Sequence, residues 1–150
     1  MRYQLEQYPQ FIEKVLDSGA HLYHCPLVYT ELANIIEKTE YDIYVYENSD
    51  ISRKDFRTLP ACRESVLKEI DLAWKTINSL STCLDINLTQ DLIPPIHELL
   101  AASTLDSYDA FYLKLMQLES IDKLVTDDRD FVNTPLSDLY TANHRVLSMR

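Results

Sequence analysis

Apolar positions in the chain recur mainly at the three- and four-residue spacing of helices. The first such run, over 8–16, is followed by Asp17-Ser18-Gly19, where the glycine suits a helix C-cap. A second run begins at Pro26, a residue favoured at the first helical position. It extends through Tyr46, and the alternation over 41–46, which would also suit a strand, is interpreted as helix. The same spacing predicts further helices over 52–59, 60–80, 96–102 and 105–118.

Three short segments between these helices have the character of strands. The segment 21–25 is too short for a helix, and 84–88 alternates between apolar and polar residues. The third, 124–126, is followed directly by acidic residues. Short strands separated by helices indicate βαβ units, so the expected fold class is α/β with a parallel sheet. Residues 1–150 are predicted to form one domain.

In such a sheet, ligands bind beyond the carboxyl ends of the strands. Asp127 and Asp128 follow the strand at 124–126, and Glu31 lies in the first turns of the helix after the strand at 21–25. We therefore expect these acids to face the same edge of the sheet.

Asp109 lies in a run that is apolar on nearly all sides, as in a buried helix. An unpaired carboxylate in such a helix is costly. The alternative is a carboxylate that favours the helix N-terminus, but Asp106 or Ser107 can cap that end alone. Asp109 is then left in need of another partner.

Asp127, Asp128 and Asp130 place three carboxylates within four residues, and a bound cation would relieve their repulsion. A solvated turn in which Arg129 pairs with the acids is the alternative. The loop does not match a calcium EF-hand, because it has neither the required glycine nor the terminal glutamate. Oxygen ligands from separate elements suit Mg²⁺ or Mn²⁺.

Glu31 borders the apolar stripe of its own helix, between Val28 and Ile35. It could be a metal ligand that faces the sheet edge. An ordinary carboxylate near a helix N-terminus, stabilised by the helix dipole, is about equally consistent with this spacing.

Composition narrows the function only moderately. The net charge of −10 disfavours a broad nucleic-acid surface, although a bound metal can reverse the local field of an acidic site. There is no apolar run of membrane-spanning length and no apolar signal core at the N-terminus. Cys25, Cys62 and Cys83 are odd in number and widely spaced, so neither disulfides nor a zinc site is expected. A cytoplasmic location is the default expectation.

The stretches SYDAFYLKLMQ (107–117) and IDKLVTDDRDF (121–131) resemble the C-terminal half of a PIN domain. PLVYTELANIIEKT (26–39) resembles the second acidic motif of that family, and ISRKDFRTLP (51–60) resembles an insert of some bacterial members. The similarity covers most of 22–131, and TDDRDF is its most specific part.

Members of the family are small ribonucleases that depend on Mg²⁺ or Mn²⁺, and many are VapC-like toxins neutralised by an antitoxin protein. The resemblance thus implies a PIN-like three-layer α/β/α fold around a short central parallel sheet. The implied activity is single-strand-specific hydrolysis of RNA phosphodiester bonds, with an antitoxin and a second copy of the chain as possible partners.

The resemblance assigns catalytic and metal-binding roles to Glu31, Asp109 and Asp128, with Asp130 as an auxiliary metal ligand. It also assigns Thr126 to orienting the attacking water or the phosphate.

The chain departs from the family at its start. Members begin with an apolar strand that ends in an aspartate, and residues 1–20 contain no such strand. We favour a natural start upstream of Met1, and we expect weak metal affinity and low or absent cleavage without that aspartate. The competing hypothesis is a catalytically inactive PIN-like module that binds a partner protein through its tyrosine-rich helices.

Overall fold

The computed structural model describes residues 2–136 and 138–148, with side chains from residue 7 onward. Most of the described backbone is helical. The α-helices are α1 (Arg2–Asp17), α2 (Pro26–Glu47), α3 (Arg53–Phe56), α4 (Pro60–Leu80), α5 (Ile93–Ala102), α6 (Ser107–Leu118) and α7 (His144–Leu147). Short 3₁₀ turns occupy Gln90–Leu92 and Arg129–Asn133. The strands are β1 (Tyr23–His24), β2 (Thr82–Cys83), β3 (Lys123–Val125) and β4 (Asp138–Tyr140).

The chain divides into two compact units. Unit 1 comprises Met1–Ala20 and Ile86–Arg150, and unit 2 comprises His21–Asp85. That the whole chain forms one domain stays a prediction. No helix among the described residues is long and apolar enough to cross a membrane.

The strands form two separate two-stranded sheets, and both are parallel. In unit 2, Tyr23 pairs with Thr82 and His24 with Cys83. In unit 1, β3 pairs with β4 from Lys123 opposite Asp138 through Val125 opposite Tyr140. Parallel pairing requires a crossover connection, and the helices α2 to α4 provide it in unit 2. A mostly helical chain with short parallel strands is compatible with the α/β class.

The helix predictions are largely confirmed, because they depended on local signals. Gly19 ends α1 with φ +76°, and the amides of Gly19 and Ala20 donate to the carbonyls of Leu16 (3.0 Å) and Val15 (3.3 Å). These two bonds are those of a Schellman cap. Pro26 begins α2, which continues past Tyr46.

One strand prediction is wrong. Residues 84–88 form no strand, and the nearby β2 ends at Cys83. The alternation there contains no fully buried residue, and Leu88 is 63% exposed. Conversely, β4 was not predicted, since Leu139 is its only fully buried residue and gives no periodicity.

The core of unit 2 forms around Phe56, Val66 and Ile70. Tyr41 and Tyr44 pack their rings against Phe56 at 5.6 Å between centroids, so these two tyrosines serve packing. The buried Glu37 carboxylate accepts two bonds from Arg57 Nε, both 2.9 Å, and one from its Nη2 at 2.6 Å. This pairing lowers the pKa of Glu37 and keeps its charge compensated.

Trp74, the single tryptophan, lies in unit 2 beside two other rings. His24 and Tyr29 both contact it edge to face, with centroids 5.3 and 4.8 Å away. His24 is buried, its Nδ1 lies 2.8 Å from Ser81 Oγ, and burial lowers its pKa. The indole therefore reports on the interior of this unit.

The core of unit 1 is built around α6. Its buried members come from α5, α6, α7, β4, the two 3₁₀ turns and the loop before α6, and they are Leu92, Ile96, Leu105, Ala110, Leu113, Phe131, Leu139 and Val146. Ser120 has φ +56°, and the Ile121 amide donates to the Met116 carbonyl at 2.8 Å, so the chain reverses and enters β3. This reversal brings the residues after β3 back toward the start of α6.

Leu113→Ala is expected to lower the free energy of unfolding by about 2–5 kcal/mol, because the side chain is 2% exposed and its loss leaves a cavity. The matched control is Leu118→Ala on the same helix, where the leucine is 55% exposed and the change should stay within about 0.5 kcal/mol. Urea unfolding followed by circular dichroism measures both. Equal losses in the two variants would contradict this description of the core.

Candidate metal centre

Asp109 lies in the first turn of α6, but it does not cap the helix. Asp106 does so alone, since one of its carboxylate oxygens accepts the amides of Tyr108 (2.8 Å) and Asp109 (3.0 Å). This confirms the expectation that Asp106 can satisfy the helix end. The Asp109 carboxylate is half-buried and is left for another partner.

Asp128 and Asp130 are held by the turn that follows β3. The Asp128 amide donates to Thr126 Oγ1 at 3.1 Å, and Asp128 Oδ1 accepts the Asp130 amide at 2.9 Å. The 3₁₀ turn that begins at Arg129 also contains Phe131, which is buried in the core of unit 1. The two carboxylates are therefore fixed by backbone bonds and by a packed aromatic ring.

These elements bring Asp109, Asp128 and Asp130 together. One carboxylate oxygen from each residue lies within 4.8 Å of the other two. Across the described part of the chain, no other group of three or more acids, histidines or cysteines meets this distance. Three hard oxygen donors from two elements are the type of ligand set that Mg²⁺ and Mn²⁺ prefer.

Glu31 is not among the residues of this group. It lies half-buried on α2, in unit 2, whereas the three aspartates belong to unit 1. Its catalytic and metal-binding roles stay predictions.

The electrostatics of the cluster favour a cation. Burial, together with the charges of Asp106, Asp128 and Asp130, raises the pKa of Asp109 to about 6. The carboxylate is thus held in a place where its negative charge is poorly stabilised. A divalent ion among the three groups would reverse that balance.

Arg129 does not neutralise the cluster. Its Nε lies 3.9 Å from Asp130 Oδ1, at the far limit of an ion pair, and its side chain is 69% exposed. Such a pair contributes little in water. The alternative of an acidic turn balanced by Arg129 therefore accounts poorly for the three convergent carboxylates.

Asp127 has a different role from its neighbour. Its side chain accepts hydrogen bonds from the Tyr8 hydroxyl and from Thr141 Oγ1 (3.2 Å), and its carbonyl accepts one from Asn143 Nδ2 at 2.8 Å. The Tyr8 hydroxyl in turn accepts the Ala142 amide at 3.1 Å. Asp127 thereby ties α1 and the segment after β4 to the acidic turn.

The sequence contained part of this signal. We expected Asp127 and Asp128 to face the same edge, but the Asp127 side chain bonds to Tyr8 and Thr141 and is not part of the cluster. The alternation of successive residues in an extended segment is the signal that could have separated the two acids. The partners of Asp127 could not be anticipated, because Tyr8 and Thr141 lie 119 and 14 residues away from it. Thr126 holds the Asp128 amide, and its predicted role toward water or phosphate stays a prediction.

Comparison with known proteins found no match: no family model, no curated protein and no solved structure matches the chain. The PIN-domain resemblance therefore stays a prediction.

Stability should depend on the ionisation of Asp109. Its pKa in the folded protein is about 6, above the ordinary value near 4, so the folded state favours the protonated acid. The contribution of Asp109 to the free energy of unfolding is most favourable below pH ~4 and is lost as the pH rises through ~6. Asp109→Asn should therefore raise the free energy of unfolding at pH 7 by roughly 1 kcal/mol, allowing for solvent screening, and by nothing near pH 4.

Urea unfolding between pH 4 and 8 without divalent ions measures this effect. Asp85→Asn removes an exposed acid of unit 2 and should follow the wild-type profile. If Asp109→Asn also followed that profile, ionisation of Asp109 would not destabilise the folded protein as predicted.

Proposed function

We propose that Asp109, Asp128 and Asp130 bind Mg²⁺ or Mn²⁺ and that the protein is a metal-dependent, single-strand-specific endoribonuclease. The observation that carries the proposal is the convergence of three carboxylate oxygens within 4.8 Å of one another, next to a buried helix. Among the side chains that the structure describes, the one ion pair to these carboxylates is the long contact of 3.9 Å from the exposed Arg129 to Asp130.

The finer fold proposal is a PIN-like three-layer α/β/α arrangement around a central parallel sheet. Two features support it: both described sheets are parallel, and in unit 2 a helical crossover connects the paired strands. The resemblance further assigns Glu31 to the metal site, and it implies an antitoxin protein and a second copy of the chain as partners.

The residues of the cluster have distinct chemical tasks in this proposal. Asp128 and Asp130, fixed by the turn after β3, provide preorganised oxygen donors. Asp109 completes the set from α6. Because its pKa is about 6, it gives up a proton when a cation binds near pH 6 or below, whereas at pH 7 it is already mostly ionised. A bound divalent ion would activate water and stabilise the negative charge that develops on the phosphate.

Mn²⁺ is expected to bind weakly to the wild type, and Asp109→Asn should lower the affinity at least about tenfold, because one of three donors is lost. Asp106→Asn is the matched control: asparagine caps a helix as well as aspartate does, and the change removes one nearby charge without removing a donor. Its affinity should stay within about threefold of wild type.

Isothermal titration calorimetry measures these affinities, and the proton released on binding is read by repeating the titration in buffers of different ionisation enthalpy. Equal Mn²⁺ binding by wild type and Asp109→Asn would refute the metal site.

Slow cleavage of a labelled single-stranded RNA is expected with Mn²⁺ and none with EDTA. Asp128→Asn should reduce the rate by about a hundredfold, the scale on which one electrostatic contributor to a transition state acts. The same RNA annealed to its complement should remain intact. Gel analysis over time measures the products.

The competing proposal, a catalytically inactive interaction module, predicts a different result. Cleavage would then be absent for wild type, and it would stay absent after an apolar strand that ends in aspartate is added before Met1. Mn²⁺ binding without cleavage in either form would favour that module over the ribonuclease.

A further inference from the structure

A groove of about 590 Å³ lies between α2 and α4 in unit 2, and the acidic cluster belongs to unit 1. Its floor and walls are mainly aliphatic, from Leu32, Ile35, Ile36, Leu72, Ala73 and Ile77. The remaining lining residues are two threonines and two glutamates.

The groove leaves large apolar side chains in water. Ile35 on α2 is 62% exposed and Leu72 on α4 is 59% exposed, and the two face the same groove from opposite sides. An isolated exposed leucine is common on protein surfaces, but a concave apolar strip between two helices is the type of surface that binds a partner.

The spacing of the lining residues indicates which secondary-structure element of a partner can bind in the groove. They recur every three or four residues over 32–40 on α2 and over 69–77 on α4. Each run covers about two helical turns, or roughly 12 Å. A third helix of at least two turns can place an aliphatic stripe into such a groove, as amphipathic helices do in helix-in-groove recognition.

The charge of the groove favours particular residues on either side of the aliphatic stripe of that helix. Among the residues that the structure describes, Glu40 and Glu69 are the charged ones that line the groove, and no lysine or arginine lines it. Glu69 is exposed, and the Glu40 carboxylate accepts a hydrogen bond from the neutral Ser65 Oγ at 3.0 Å. The whole chain also carries a net charge of −10. Lysine or arginine beside the aliphatic stripe would complement this rim.

We propose that the α2–α4 groove binds an amphipathic helix of a partner protein, with an aliphatic stripe flanked by basic residues. A second copy of this chain is a poorer occupant, because two-fold pairing of the groove would bring the acids of both copies together. The proposal does not depend on metal binding or on RNA cleavage.

The probe is a fluorescein-labelled 18-residue peptide with leucine at helical stripe positions and lysine beside them. Fluorescence anisotropy should show saturable binding that weakens as the NaCl concentration rises from about 0.1 to about 1 M, which shortens the Debye length from ~10 to ~3 Å. A peptide of the same composition in scrambled order, and one with glutamate in place of lysine, should each bind at least tenfold more weakly.

Leu72→Gln should weaken binding of the lysine peptide at least fivefold. Leu67→Gln is the matched control, since Leu67 is 49% exposed on the same helix and does not line the groove. Ile35→Gln tests the opposite wall, so that the conclusion does not depend on one variant folding normally. Glu40→Gln combined with Glu69→Gln should weaken binding and flatten its salt dependence.

Four results would overturn the proposal: no binding of the lysine peptide at 100 µM protein, equal binding of the scrambled or glutamate peptide, equal effects of Leu72→Gln and Leu67→Gln, or salt dependence unchanged by the double glutamate variant. Sedimentation velocity provides a further test. Self-association of the wild type that Leu72→Gln abolishes would identify a second copy of the chain as the occupant instead.

Discussion

Burial of α6 is the constraint on which the acidic cluster depends. Ala110 is fully buried and Leu113 nearly so, and both pack into the core that also holds Phe131 from the turn after β3. Because the helix and the turn share that core, Asp109 cannot move away from Asp128 and Asp130 without exposing apolar surface. Hydrophobic packing thus holds together three groups that repel one another.

That arrangement has an electrostatic cost, and among the described side chains only the exposed Arg129 makes an ion pair with it, at 3.9 Å. Elsewhere the chain handles an acid differently: the buried Glu37 is matched by a bidentate Arg57, and the half-buried Asp127 by the hydroxyl groups of Tyr8 and Thr141. The contrast within one molecule is the strongest reason to interpret the cluster as a cation site. The carboxylates of Glu37 and Asp127 have side-chain donors, whereas those of Asp109, Asp128 and Asp130 converge on one another.

Local signals in the sequence predicted much of this structure. Gly19, Pro26 and the capping residue Asp106 mark helix ends through backbone chemistry that does not depend on distant residues, so the helices were found nearly at their observed bounds. Asp109 and Asp128 could be selected because an apolar helix and a strand end have recognisable patterns. These patterns do not reveal which residues meet in space.

The unpredicted features all depend on distant or very short contacts. The strand at β4 has three residues and one buried side chain, too little for a period to emerge. The pairing of Asp127 with Tyr8 joins opposite ends of the chain. The groove between α2 and α4 arises from the packing of two helices, each of which has an ordinary amphipathic pattern on its own.

The position of Trp74 gives the protein a built-in optical probe of one half of the molecule. The only indole of the chain lies in unit 2, against His24 and Tyr29, while the acidic cluster lies in unit 1. Its emission spectrum responds to the surroundings of that unit, whereas far-ultraviolet circular dichroism sums the helices of both. Denaturation curves from the two signals would coincide only if both units unfold in a single cooperative step. A gap between the curves would give the stability of each half from one sample, without a label and without a mutation.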